Sequence, residues 1–150
     1  MDMRKIAVIL LTFASTAVAA PPRGPMGPNL FVADGNFTIE QAIADAAAQR
    51  TPMDPPTWKL LVTGTEASRV IAARATPATL GAVQKAQSSG ASVFVCAKDL
   101  KALNATPNDL IPGVRAVRGY LTANAQVPDW ERGLYWAPDR KSLAICAGNP

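Results

Sequence analysis

The stretch Ala91-Ser92-Val93-Phe94-Val95-Cys96-Ala97 is the clearest strand signal in the chain, and it decides the fold. Its central residues are large and apolar, which is typical of a strand that is buried on both faces of a sheet. Ser88-Ser89-Gly90 ends a helix just before it, and residues 98–104 predict one or two helical turns just after it. A buried strand between two helices indicates an α/β fold with a parallel sheet.

The alternation of strands and helices extends along the chain on both sides of this strand. Residues 30–33, 59–63 and 114–118 are short apolar or alternating runs that predict further strands. Thr38 and the pair Thr76-Pro77 are helix-start signals, and each precedes apolar residues at helical spacing. We therefore expect strands and helices to follow one another over most of the chain.

The C-terminal part predicts a β-hairpin. Leu134-Tyr135-Trp136-Ala137 and Ser142-Leu143-Ala144-Ile145-Cys146 are apolar runs on either side of the polar turn Pro138-Asp139-Arg140-Lys141. Together with the preceding elements, this hairpin predicts a three-layer α/β/α sandwich. Its mostly parallel, five-stranded sheet would end in an antiparallel C-terminal edge.

Residues 1–19 predict a secretory signal peptide. Arg4 and Lys5 precede an uncharged apolar run, and Ala17-Val18-Ala19 supplies the small residues of a cleavage site. The run is shorter than the roughly 20 residues that span a bilayer, so cleavage is favoured over retention as a membrane anchor. Residues 20–28 predict an extended leader rich in Pro and Gly, and residues 29–150 a single domain. We expect a periplasmic or secreted protein with no membrane contact after cleavage.

The composition excludes several kinds of site. The chain has 150 residues, with 15 Lys+Arg, 11 Asp+Glu, two Cys and no His. The absence of His excludes Ser-His-Asp and Cys-His catalysis and zinc sites with His ligands. Two cysteines cannot complete a four-thiolate zinc site on one chain, so we expect no metal and no cofactor. The basic residues are scattered rather than clustered, which argues against a nucleic-acid partner.

The ends of the predicted strands are where chemistry is expected, because ligands of open α/β sheets bind outside the carboxyl ends of the strands. Gly35, Gly64, Thr65 and Lys98 follow these ends and are candidate ligand-binding residues. Cys96 is the candidate nucleophile, since a helix N-terminus and Lys98 would stabilise its thiolate. The alternative is that Cys96 is a small residue of the core.

Cys146 bears directly on the role of Cys96. A disulfide between Cys96 and Cys146 would silence Cys96 as a nucleophile, and an oxidising compartment favours such a bond. A terminal hairpin favours two unpaired thiols instead, because a strand beyond the fourth would hold the Cα atoms more than about 7 Å apart. Both alternatives stay open. Trp130, Tyr135 and Trp136 are expected in the core or at an oligomer interface.

One segment resembles the DsrE/DsrF-like family. Residues 91–100 are followed by Thr106-Pro107-Asn108-Asp109-Leu110-Ile111-Pro112-Gly113-Val114, and in that family a strand ending in Cys is joined to the next strand by a similar connection. The resemblance covers roughly residues 29–119, and residues after Tyr120 do not match it. It implies a five-stranded sandwich that assembles into trimers or hexamers. In the sulfur-relay members a cysteine at the position of Cys96 carries a persulfide; Thr63 stands where the family often has His.

The sequence thus predicts an exported DsrE-like domain that handles sulfur or thiol redox chemistry through Cys96. Its partners would be a thiol or sulfane-sulfur compound and further copies of the chain. The alternative is a non-catalytic module for ligand binding or oligomeric assembly, in which Cys96 is a core or disulfide residue. Whether the protein is an enzyme is left open at this level.

Overall fold

A computed structural model describes residues 25–26, 29–120 and 126–147. The predicted signal peptide and most of the predicted leader lie outside these residues. Within them, no helix has both the length and the apolar character that crossing a membrane requires.

The centre of the fold is a parallel sheet whose four strands follow the chain order β1-β2-β3-β4. The strands are β1 Leu30–Ala33, β2 Trp58–Val62, β3 Ala91–Cys96 and β4 Val114–Val117. The α/β class and the parallel pairing agree with the sequence analysis. The described residues supply four strands and not the five that we expected.

Five α-helices are present in the described ranges, together with two short 3₁₀ helices. They are α1 Ile39–Gln49, α2 Pro77–Ser88, α3 Ala97–Ala102, α4 Asp129–Arg132 and α5 Arg140–Cys146, with 3₁₀ helices at Gly64–Val70 and Pro107–Asp109. The two predicted helix starts are confirmed, because the Thr38 and Thr76 hydroxyl oxygens accept hydrogen bonds from Gln41 N and Thr79 N.

The main core lies between the sheet and helices α1, α2 and α3. Right-handed crossovers between parallel strands in sequential order place the connecting helices on the same face of the sheet. The residues that fill this layer are apolar and almost fully buried: Phe31, Ala33, Leu60, Val62, Val93, Val95, Ile39, Ala42, Ala46, Val83, Ala86 and Leu100. Within it Phe31 meets Trp58 edge to face, with ring centroids 5.7 Å apart.

A second, smaller core lies on the opposite face of the sheet. The strand residues on this face are Leu30, Val32, Leu61, Phe94, Cys96 and Val117, and they pack against Ala137, Leu143, Ile145 and Cys146. Helix α5 therefore covers this face. Among the described residues the second layer consists of this one short helix, the chain that leads into it, and Met26.

The predicted C-terminal hairpin is wrong. Its second strand, residues 142–146, is part of α5, and the Asp139 carboxylate caps this helix by accepting a hydrogen bond from Ser142 N at 2.8 Å. The periodicity of a short apolar run does not distinguish a strand from a helix. The hydrogen bond from Ser142 N to the Asp139 carboxylate stabilises the helix start. The first predicted strand makes only a parallel bridge between Trp136 and Arg118 at the end of β4. The described residues thus have no antiparallel edge there.

Candidate functional site

The carboxyl ends of the four strands meet at one edge of the sheet, where a site was expected. Ala33 is paired with Val62, and Cys96 is paired with Val117. The loops that follow these strands are therefore neighbours, and they carry the candidate residues Gly35, Gly64, Thr65 and Lys98. The packing of these loops determines whether the candidate residues line a cleft or contact one another.

Two of the loops are closely packed rather than separated by a cleft. A Cβ atom on Gly35 would lie 2.1 Å from the Thr65 hydroxyl oxygen, and one on Gly64 would lie 2.9 Å from the Asp34 carbonyl oxygen. Both glycines also have positive φ, at +95° and +59°, which side chains rarely adopt. Gly35, Gly64 and Thr65 are thus brought together, and their spacing is explained by loop packing.

Polar groups at this edge are mostly satisfied within the fold. The buried Thr63 hydroxyl donates a hydrogen bond to the Asp99 carboxylate at 2.7 Å, which ties the end of β2 to α3. Lys98 is half-buried in the first turn of α3 and has no hydrogen-bond or ion-pair partner among the described residues. The structure does not join Lys98 to Gly35, Gly64 or Thr65.

Cys96 is bonded to Cys146. The two Cα atoms are 5.0 Å apart, and both residues are buried, with exposures of 0% and 3%. Cys96 lies on the face of the sheet that α5 covers, so its sulfur points into the second core and away from solvent. In this state Cys96 has no thiolate to offer, and the buried bond is shielded from an incoming thiol.

An ion pair and a helix cap hold α5 against the sheet beside this bond. Lys59 on β2 approaches the Asp139 carboxylate at 3.3 Å, and Ser142 donates to it through both its backbone N and its hydroxyl. Burial alone would raise the pKa of Asp139, but the hydrogen bonds from Ser142 and Lys59 outweigh it and hold the pKa below 3.8. These contacts position Cys146 over the end of β3.

A network around Arg69 is a feature that the sequence analysis did not find. The guanidinium binds the Glu40 carboxylate with two nitrogens, the buried Glu66 carboxylate at 2.8 Å and the Thr79 hydroxyl at 2.9 Å. Glu66 also accepts a hydrogen bond from Ile39 N at 2.9 Å. Arg69 therefore joins the first 3₁₀ helix to both α1 and α2. The i,i+3 spacing of Glu66 and Arg69 was the available signal.

Acid is expected to destabilise the protein through these carboxylates. The hydrogen bond from Arg69 is the main cause that lowers the pKa of Glu40 below 4.5. A folded-state pKa below the unfolded value gives stability that is present above the unfolded pKa and lost as pH falls through the folded one. Asp139 behaves in the same way. Urea unfolding at steps from pH 6 to pH 3 should show stability falling below about pH 4.5.

The Glu40→Gln variant is the control for this pH dependence. Glu40 is about two-fifths exposed, so its contribution is expected to be below about 1 kcal/mol. The variant should lose part of the decline between pH 4.5 and pH 3 while it keeps the Asp139 part. An identical pH profile in the variant would contradict the role of Glu40.

Exposed aromatic side chains gather beyond the end of β4. Tyr120, Tyr135 and Trp136 are 59%, 82% and 49% exposed, and the rings of Tyr120 and Trp136 are 6.2 Å apart. The Arg118 guanidinium lies 4.3 Å from the centroid of the Trp136 ring. We call these four residues the aromatic surface. Trp130, which was grouped with Tyr135 and Trp136, packs instead against the main core.

The described ranges contain no group of three or more Cys, Asp or Glu side chains that could hold a metal ion. Comparison of the chain with protein-family models, curated proteins and solved structures found no match. The proposed function therefore rests on the geometry of the side chains.

Proposed function

We propose that this chain is an exported, non-catalytic module for binding and assembly, with Cys96 as half of a structural disulfide. The observation that carries the proposal is the bond between Cys96 and Cys146, whose two residues are at most 3% exposed. Of the two functions that the sequence leaves open, sulfur relay needs a free thiolate at Cys96. The bond removes that thiolate.

The surroundings of the strand ends support the same choice. Asp99 holds the Thr63 hydroxyl, and the Glu66 carboxylate is engaged by Arg69 and Ile39 N. A general acid or base must reach a substrate proton within hydrogen-bond distance. Carboxylates that are already engaged in the fold are poorly placed for that task.

The same bond supports export as part of the proposal. Disulfides persist in oxidising compartments such as the periplasm and are rare in the cytosol. The predicted signal peptide at residues 1–19 gives the route, and the disulfide gives a reason for the destination. A periplasmic or secreted location is thus part of the proposal.

We further assign the domain to the DsrE-like family. The support is the position of Cys96 at the end of the third parallel strand, and the 3₁₀ helix Pro107–Asp109 and Gly113 that lead into β4. Helix α5 on the second face supplies part of a third layer.

The experiment that tests the proposal is intact-mass spectrometry of the protein from its native compartment, with and without reductant. The expected mass is two hydrogen masses below the reduced chain, unchanged by mild reductant under native conditions, because the buried bond is shielded from attack. A labile persulfide on Cys96, which would add one sulfur mass, would establish the carrier function and overturn the proposal. Recovery of Cys96 mainly as a free thiol would also overturn the proposal.

Assembly is expected to use the aromatic surface, with a second copy of the chain as its partner. Aromatic residues and Arg are enriched in the cores of protein interfaces, and a few of them dominate the binding energy. The Trp136→Ser and Tyr120→Ser variants should each weaken self-association at least about tenfold in sedimentation equilibrium.

Met53→Ser is the matched control for this measurement. Met53 is 93% exposed in the loop between α1 and β2 and does not belong to the aromatic surface. Its replacement should leave self-association unchanged. Equal self-association of all three variants and the wild type would show that the aromatic surface is not the assembly contact.

A further inference from the structure

A groove runs between α1 and α2, on the opposite side of the sheet from the disulfide. It consists of two cavities of about 220 and 230 Å³. Ile43, Ala47 and Lys85 line both cavities, so the two are parts of one groove. The groove is therefore separate from the Cys96–Cys146 bond, on which the proposed function rests.

One end of the groove is polar and cationic. Arg50, Lys85, Thr51 and Ser89 line it, over the indole of Trp58. The Arg50 guanidinium lies 5.7 Å from the centroid of the Trp58 ring, and its Nη2 donates to the Pro55 carbonyl. The Arg50 Nε is buried and has no hydrogen-bond acceptor. Lys85 has no ion-pair partner among the described residues. The Asp54 carboxylate near this end is held by the backbone N and the hydroxyl of Thr51.

The other end of the groove is apolar. Ile43, Ala44, Ala47 and Ala82 form its walls. The one carboxylate that lines it, Glu40, is held by Arg69 and is therefore not free to pair with Lys85 or with a ligand cation. The groove thus combines an apolar trough with a positive end.

We propose that this groove binds a small amphiphilic carboxylate. The carboxylate pairs with the Arg50 guanidinium and with Lys85, and the apolar stem lies along Ile43, Ala47 and Ala82. Hydrogen bonds between a carboxylate and a guanidinium or ammonium group are charge-assisted and are stronger than neutral ones. The two cavities, of about 220 and 230 Å³, together lie at the lower end of the roughly 300–1,000 Å³ of small-molecule sites, which suits a small amphiphile.

The competing explanation is that Arg50 and Lys85 only complement the carbonyl ends of α1 and α2. Cations near a helix C-terminus are stabilising without any ligand. In that case no preference for an anionic amphiphile would exist. The charge of the head group therefore separates the two explanations.

The test is an NMR titration of the oxidised protein with octanoate, compared with octyltrimethylammonium. We expect octanoate to bind with a Kd on the order of 1 mM or tighter, with shifts at Ile43, Ala47, Ala82 and the Arg50 side chain. The cationic amphiphile should bind at least about tenfold more weakly. Equal binding of both, or no shift in the groove at tens of millimolar octanoate, would overturn the proposal.

Variants locate the binding within the groove. Lys85→Gln and Arg50→Gln should each weaken octanoate at least about fivefold, and Ala47→Phe should block the trough. The matched controls Lys141→Gln and Ala48→Phe change exposed residues that do not line the groove and should leave the Kd unchanged. Ala47 is exposed on α1, so its replacement is compatible with folding. Unaltered binding in the Ala47→Phe variant would contradict the proposed site.

Discussion

Replacing both Cys96 and Cys146 with Ala is expected to lower the free energy of unfolding by about 4 kcal/mol. The bond closes a loop of 50 residues, and in the loop-entropy account its removal restores that much freedom to the unfolded chain. In a domain of this size the loss corresponds to a fall in Tm of roughly 10 °C. Urea or thermal unfolding of the oxidised protein and the double variant measures it.

Two controls make the result specific to the bond. The wild type unfolded in the presence of strong reductant should match the double variant to within about 0.5 kcal/mol, since both lack the covalent link. Ser142→Ala changes a neighbouring buried residue of α5 but leaves the bond intact, and it should cost less. A difference below about 1 kcal/mol between oxidised wild type and double variant would show that the disulfide contributes little to stability.

The second large effect is expected at Arg69. Its replacement by Met should lower the free energy of unfolding by about 3 kcal/mol, because the Glu66 carboxylate would stay buried without its cation. Glu66 is 7% exposed and would keep only the hydrogen bond from Ile39 N. The fully buried Thr79 hydroxyl would lose the hydrogen bond from Arg69 and keep only its contact with the Thr76 hydroxyl. Urea unfolding at pH 7 measures the loss.

A double-mutant cycle separates the ion pair from the packing of the Arg69 side chain. Adding Glu66→Gln to Arg69→Met should recover part of the loss, since the buried charge is then gone. Arg74→Met is the matched control, because Arg74 is exposed and forms no ion pair within the described residues. Its effect should stay within about 0.5 kcal/mol. Equal losses for Arg69→Met and Arg74→Met would show that the network carries no stability.

The helix starts and the central strand within residues 29–120 were predictable because their signals are local. Thr38 forms a capping box with Gln41, and Thr76 caps α2. A cap needs only residues three or four positions apart, so it acts in the same way in most folds. The buried run that ends at Cys96 likewise specifies a strand without help from distant residues.

The candidate site was predicted only in part. The sequence placed Gly35, Gly64 and Thr65 at neighbouring strand ends, and the structure brings them together. The sequence did not show that the loops after β1 and β2 touch. The distance between Gly35 and the Thr65 hydroxyl depends on how these two strands are aligned. Arg69 was missed for a related reason. Its partner Glu40 lies 29 residues away, and that separation has no periodic signature.

The C-terminal segment shows where the sequence was insufficient. Residues 142–146 fit both a strand and a short helix, and the hairpin interpretation favoured two unpaired thiols but left the disulfide open. A helix that crosses the second face of the sheet is not limited by strand spacing, so it can carry Cys146 to 5.0 Å from Cys96, between Cα atoms.

The sequence by itself determined an α/β fold with parallel strands, a cysteine at the end of the third strand, and no imidazole for catalysis. The tertiary structure alone decided that the two sulfurs are joined. The reason is that composition and periodicity report on local conformation, whereas a disulfide requires two distant segments to meet in three dimensions.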